Sequence, residues 1–262
     1  MLGVALQRLY GLSRIPIHSF RLLSAQARSL DPTRPGIIQR KPTTPSQRHT
    51  ALIDRSLLYR GRPLPRLTVG LPSRGGRCRV TGHITVRHRG GRHKRKYRLV
   101  DFKRTAHSGI AGIVERIEYD PNRSAFVALV RHAKKCKAVK DKVRPDRYAY
   151  ILCPQGINLG SDVKASRTDP VEVKPGNAML LKHIPVGTKV HNVELNPGQG
   201  GKLCRSAGTF ARVLERNHDK GLALLGLQSN EQRMVRLECM ATVGEVSNPE
   251  HMNQKFGKAG RR

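Results

Sequence analysis

Residues 86–98 read VRHRGGRHKRKYR. They hold Arg87, Arg89, Arg92, Lys94, Arg95, Lys96 and Arg98 and no acidic residue. Gly90 and Gly91 lie inside the run, Ile84 and Val86 stand at its start, and Tyr97, Leu99, Val100 and Phe102 stand at its end. Cations confined to one turn repel each other unless a polyanion neutralises them. The stretch therefore predicts the tip of a β-hairpin pressed against phosphates; the alternative is a solvated basic loop.

The charge of the whole chain favours the first reading. Its 262 residues carry 50 Lys+Arg against 18 Asp+Glu, a net charge of +32. An excess this large needs more than a small anionic site, and phosphate backbones are the commonest partner for it. The hydrophobic fraction of 37% supports one or two small cores. Aromatics are only 4%, with no Trp, which argues against single-strand binding by base stacking and favours double-helical or folded RNA gripped through its backbone. No apolar run approaches the roughly 20 residues of a membrane helix, so no membrane partner is expected. Cys78, Cys136, Cys153, Cys204 and Cys239 lack metal-ligand spacing and read as reduced, packed thiols, without a zinc site.

Residues 1–30 contain Arg8, Arg14, Arg21 and Arg28 and no acid, with Leu2, Leu6 and Leu9 on one helical face and hydroxyls at Ser13, Ser19, Ser24 and Ser29. This reads as a mitochondrial transit peptide, with a plastid signal and a basic nucleic-acid-binding arm as alternatives. Residues 31–82, rich in Pro and Arg, read as an extended basic arm that folds only on its partner. From residue 83 the pattern turns to short strands. Expected strands are 84–89, 97–102, 113–119, 125–130 and 148–153, with a turn at Asp120-Pro121-Asn122-Arg123 and a charged insertion at 134–147. Five such strands in residues 83–155 predict an OB-like barrel. Residues 156–172 look like a linker. Residues 173–246 predict a second small β-barrel, with hairpin turns at 217–220 and 229–232. Residues 247–262 form a polar, basic tail.

Two motifs could meet a ligand. The turn at 119–125 (YDPNRSA) holds Arg123 at a fixed angle. The loop at 196–209 (NPGQGGKLCRSAGT) offers glycines for close backbone approach, and Lys202, Arg205, Ser206 and Thr209 for phosphate or ribose. A glycine-rich barrel loop with no ligand is the alternative, and the order of a nucleotide-binding P-loop is absent. His83, His88, His93 and His107 sit among cations that disfavour a metal ion, and are assigned to RNA contact or packing. No acidic residue clusters with a His, Ser or Cys in a catalytic spacing, so no active site is expected.

The segments ITVRHRGGRHKRKYRLVDFKR, VERIEYDPNRSA, KPGNAMLLKHIPVGTKVHNVELNPGQGGKLCRSAGT, ATVGEVSN and GKAGR resemble ribosomal protein L-two of the large subunit in its bacterial or organellar form. The resemblance covers about residues 75–262. It implies an all-β chain in which the OB-like five-stranded barrel is followed by an SH3-like barrel, with extended basic N- and C-terminal arms. It also implies binding to large-subunit rRNA beside neighbouring ribosomal proteins, and roles in subunit assembly, subunit association and support of the peptidyl transferase region. No cofactor is implied beyond structural Mg²⁺ of the RNA. Contact positions carried over are Arg95, Lys96, Arg98, Arg123, Lys182, Arg205 and Ser206. At Lys182 the family often has Arg; lysine keeps the charge but loses the bidentate fork. Arg92 stands where the family usually has a third glycine. The family continues past GKAGR with a basic extension, and this sequence stops at Arg262, so a separate chain, loss or truncation would account for that segment. The expectation is a non-catalytic rRNA scaffold of a mitochondrial, or alternatively plastid, large subunit. An RNA-processing enzyme and a cycling translation factor are the rival classes.

Overall fold

The computed structural model describes residues 29–30, 36–71, 75–89, 93–133 and 147–261. Residues 1–28 of the transit-peptide reading, Arg92 with Gly90 and Gly91, and nearly all of the 134–147 insertion lie outside the described residues. The chain forms two compact units, residues 1–54 with 253–262 and residues 55–252.

In the first unit β1 (Ser29–Leu30), β2 (Ile37–Gln39) and β3 (Ala51–Ile53) make an antiparallel sheet in that order. A single helical turn, α1 (Pro45–Arg48), links β2 to β3, with Pro near its start, where the missing N–H costs nothing. Ile37 is buried, and Ala51 pairs with Lys255 through two backbone hydrogen bonds (3.0 and 2.8 Å). The expectation of an arm without structure is therefore corrected. Ile37, Ile38, Leu52 and Ile53 alternate in register across the ladder, which gives even a Pro-rich segment a sheet.

In the second unit β4 (Thr68–Gly70) pairs antiparallel with β5 (Lys96–Arg98). This corrects the predicted hairpin: the partner of β5 is β4, not residues 84–89. Those residues are exposed. Ile84 makes a single bridge to Arg77, and the Thr85 and Val86 amides both donate to the Gly76 carbonyl (3.0 and 3.2 Å). The reason is burial. Pairing β5 with β4 packs Leu64, Leu67 and Val100 against Val127, Leu129 and Tyr150. Ile84 and Val86 have no comparable core to enter.

The OB-like module is built on β6 (Gly112–Glu118), β7 (Val127–His132), β8 (Tyr148–Leu152) and β9 (Asp162–Val163), in the order β8-β7-β6-β9. A bulge between Val114 and Arg116 shifts the register of β6 against β7. Val127, Ala128, Leu129 and Val130 are all buried, as their unbroken apolar run predicts for a strand covered on both faces. Single parallel bridges, Tyr59 to Glu118 and Val100 to Tyr150, extend the module on segments that are not themselves strands.

The SH3-like module contains β10 (Ala178–Leu180), β11 (Lys189–His191), β12 (Val193–Glu194), β13 (Gly201–Leu203), β14 (Ala211–Asn217), β15 (Leu222–Leu227), β16 (Gln232–Arg236) and β17 (Met240–Val243). Six of them form one sheet, β10-β17-β11-β14-β15-β16, and β12 pairs with β13. The hairpin turns fall where Asn217 and Asn230 stand. Asn217 Oδ1 accepts the Lys220 amide (3.0 Å), and Asn230 takes a left-handed φ of 64°. Val235, Leu237 and Cys239 share the core with Met179, Val190 and Leu225.

Two further expectations are corrected. Residues 156–172 are not a linker. Ile157, Val163, Ala165 and Ser166 are buried, β9 completes the first sheet, and the Ser166 amide donates to the Ala178 carbonyl (2.9 Å). The segment wedges into both modules, and its apolar residues are too widely spaced to read as a strand. The tail, likewise, begins inside the fold. Ser247 and Asn248 are buried; Ser247 Oγ accepts the Phe126 amide (3.1 Å), and Asn248 Nδ2 donates to the Ser124 carbonyl (2.8 Å).

Candidate nucleic-acid interface

The turn after β6 is set by Asp120, which is fully buried. Its Oδ1 accepts the Asn122 amide (2.9 Å), closing an Asx turn, and its Oδ2 accepts Arg123 Nε (2.6 Å). The Arg123 guanidinium is thereby fixed across the faces of Phe102 (5.5 Å to the ring centre) and Tyr97 (5.7 Å). Glu118, two residues back and also buried, accepts the Tyr150 hydroxyl (2.9 Å) and pairs with Arg116 (2.9 Å).

These two acids decide the role of Arg98. Its guanidinium lies 3.7 Å from Glu118 and 4.0 Å from Asp120, and the residue is buried. Arg98 was expected to face phosphates. It instead lies buried as a further cation beside two carboxylates that already hold closer partners, Arg116 on Glu118 and Arg123 on Asp120. Lys96, two residues before Arg98 on the same face of β5, is exposed, so burial here follows the covering acids and not the strand's alternation.

The glycine loop is templated by Glu194 at the end of β12. This carboxylate is 1% exposed. It accepts the amides of Gly198 (3.1 Å), Gly200 (3.0 Å) and Met240 (3.1 Å), and pairs with Arg167 (2.8 Å). The loop then docks on the OB-like module: the Gly201 amide donates to the Phe102 carbonyl (3.0 Å), and Asn192 Nδ2 donates to the same oxygen (3.3 Å). A Cβ on Gly201 would overlap Asn192, and one on Gly200, at φ 86°, would meet Lys103 at 3.1 Å. The expectation that these glycines clear space for a ligand is corrected. Gly200 clears space for the other module, and Gly201 clears space for Asn192 of its own.

That docking brings the two motifs together. A cleft of about 630 Å³ opens between them, with Arg123 and Ser124 on one wall and Lys202, Arg205, Ser206 and Thr209 on the other. Tyr97, Phe102 and Phe210 contribute rings, and Arg205 lies 4.8 Å over Phe102. Among the described residues no carboxylate lines the cleft. The loop is braced by Thr209 Oγ1 donating to the Ser206 carbonyl (2.7 Å) and by Ser124 Oγ accepting the Ala207 amide (3.0 Å). Of the expected site residues, Arg87, Arg89, Lys94 and Lys96 are exposed outside the cleft lining, and Arg95 is half-buried. Lys182 is also exposed and outside it, in the turn Leu181–His183. The sequence reading did not single out Asn122, Ser124 or Gln228 as lining residues, nor Glu194 and Asp120 as organisers.

His107 is a packing residue. It is buried and stacked on His132 at 3.8 Å between ring centres, with 6° between planes. Burial, and then the charges of His107 and Arg104, push His132 down to about 4. The buried Arg104 guanidinium donates to the Gly176 carbonyl (3.1 Å), and desolvation lowers it to about 10.

Comparison with known sequences gives this architecture a family. Residues 65–165 match the model described as "Ribosomal Proteins L2, RNA binding N-terminal domain", and residues 174–262 match "Ribosomal Proteins L2, C-terminal domain". Large ribosomal subunit protein uL2 of Sinorhizobium medicae is 53% identical over 84% of this chain and 73% of its own length. The same protein of Chelativorans sp. is 52% identical over 85% and 74%, and that of Paracoccus denitrificans 53% identical over 84% and 73%. The chain belongs to the ribosomal protein L2 family, a family of ribosomal structural proteins and not of enzymes.

Proposed function

We propose that this chain is a non-catalytic rRNA scaffold of the mitochondrial large ribosomal subunit. Its family makes it a large-subunit ribosomal protein with rRNA and ribosomal-protein partners. The OB-like and SH3-like modules hold RNA segments at a fixed separation, and the basic surface neutralises phosphates that would otherwise repel each other. Arg87, Arg89, Arg92, Lys94, Arg95, Lys96, Arg123, Lys182, Lys202, Arg205, Ser206 and Thr209 contact the RNA. Through them the protein supports subunit assembly, subunit association and the peptidyl transferase region.

The observation that carries this reading is the acid-free cleft between the modules, where Arg123, Lys202 and Arg205 converge. The mitochondrial assignment rests on an N-terminal segment that bears Arg8, Arg14, Arg21 and Arg28 and has no acid before Asp31. Filter binding of full-length protein to large-subunit rRNA tests the first part. Arg123→Ala weakens binding by about 1–3 kcal/mol and flattens the salt dependence, whereas Lys174→Ala, an exposed cation already paired with Glu172, changes little. Equal losses would remove the cleft from the account. Import into isolated mitochondria tests the second part: a chain lacking residues 1–23 stays outside while its rRNA binding is unchanged.

A further inference from the structure

The cleft contains more than a phosphate patch requires. With six Tyr and five Phe in the whole chain, three of these rings line this one opening. Two guanidinium planes lie over Phe102, Arg205 at 4.8 Å and Arg123 at 5.5 Å. Asn122 and Gln228 add amides whose nitrogens each donate one N–H to a carbonyl, of Lys96 (3.1 Å) and Gly208 (3.0 Å), which orients them and leaves each with an acceptor oxygen beside its second N–H. Phosphates carry no hydrogen-bond donor for such acceptors. The amino groups of a base and the 2′-hydroxyl of a ribose do.

Resting on the rRNA reading above, we propose that the cleft receives a single unpaired nucleotide extruded from folded RNA. The base stacks on the ring-and-guanidinium floor built from Phe102, Arg123 and Arg205. Its edge or ribose meets the Asn122 and Gln228 amides, and its phosphate lies against Lys202. A volume of about 630 Å³ falls in the roughly 300–1,000 Å³ range of small-ligand sites, whereas a double helix can only rest on the rim. What sets the cleft apart from the exposed Tyr59 and Tyr119, each under a single guanidinium, is that three rings and two guanidinium groups converge in one concave site.

The test uses the full chain and a short RNA hairpin carrying one bulged 2-aminopurine, beside the same hairpin fully paired. The bulged hairpin binds about tenfold more tightly, and its fluorescence is quenched on binding, as stacking requires. Arg205→Met and Gln228→Ala, both at exposed positions, reduce that preference towards unity while circular dichroism stays unchanged. Phe102→Leu, which keeps the apolar volume, abolishes the quenching. Equal affinity for the two hairpins with unchanged fluorescence overturns the nucleotide receptor and leaves the rRNA reading standing. Failure to bind either hairpin at low salt overturns the rRNA reading itself.

Discussion

Glu194→Gln separates a structural carboxylate from a surface one. Glu194 is 1% exposed, and its two oxygens receive three backbone amides and the Arg167 guanidinium. Glutamine keeps the shape but replaces one acceptor oxygen with an NH₂ donor. Whichever way the amide turns, that NH₂ faces at least one N–H that it cannot satisfy. The remaining bonds lose their charge assistance. Hydrogen bonds to a charged group contribute about 1.5–3 kcal/mol each, and a buried donor without an acceptor costs about 1–3 kcal/mol. The substitution therefore destabilises by about 3–5 kcal/mol, a large share of the 5–15 kcal/mol of a typical domain. The control is Glu172→Gln. That carboxylate is two-thirds exposed beside an equally solvated Lys174, and its loss costs less than about 0.5 kcal/mol. Urea unfolding of the full chain, read by circular dichroism, measures both. A Glu194→Gln loss below about 1 kcal/mol, or one equal to the control, would refute the templating role.

Three further outcomes are expected. Arg98→Met removes a third, more distant cation from Glu118 and Asp120, which keep Arg116 (2.9 Å) and Arg123 (2.6 Å), so it lowers stability by only about 1 kcal/mol while the folded protein binds rRNA nearly as before; urea midpoints and filter binding check the two halves. Stability falls as pH drops from about 6.5 towards 4. His132 and His191 are both held down to about 4 against an ordinary 6.5, so over that window the unfolded chain binds more protons than the native one. For His191, wholly buried with Nδ1 on the Gly244 carbonyl (2.8 Å), the linkage amounts to about 3 kcal/mol, and His191→Gln flattens the pH dependence of the urea midpoint. Cys78, whose thiol is lowered to about 7 by hydrogen bonds from Thr81, Val80 and Arg79, is alkylated by iodoacetamide at neutral pH before Cys153, Cys204 and Cys239, which burial raises to about 12, 11 and 11; peptide mass spectrometry gives the order.

The parts of the fold that were legible in the sequence are those whose signal is local. The unbroken run through Val130 announces a strand buried on both faces, and the alternation of Val235, Leu237 and Cys239 announces a core-facing edge. Asp120-Pro121-Asn122-Arg123 announces a fixed turn, because an Asx turn is closed within its own residues. What was misread depends on distant partners. Residues 84–89 alternate like a strand, but β5 takes β4 instead, because only that pairing buries Leu64 and Leu67. Arg98 sits in a cationic run, and nothing local reveals Glu118 and Asp120 some twenty residues on. Residues 156–172 look like a linker because β9 has two residues and borrows the edge of β6. Both halves of the cleft were named from sequence, Arg123 on one side and Lys202, Arg205, Ser206 and Thr209 on the other. Their convergence was not, since it depends on Gly201 and Asn192 gripping the Phe102 carbonyl.

The most direct measurement is ultraviolet crosslinking and peptide mapping on large ribosomal subunits purified through a high-salt wash. The account predicts that the chain stays with the particle and that nucleotide adducts concentrate on peptides covering residues 97–124 and 202–210. Release of the chain by the wash, or retention with adducts confined to other surfaces, would contradict it.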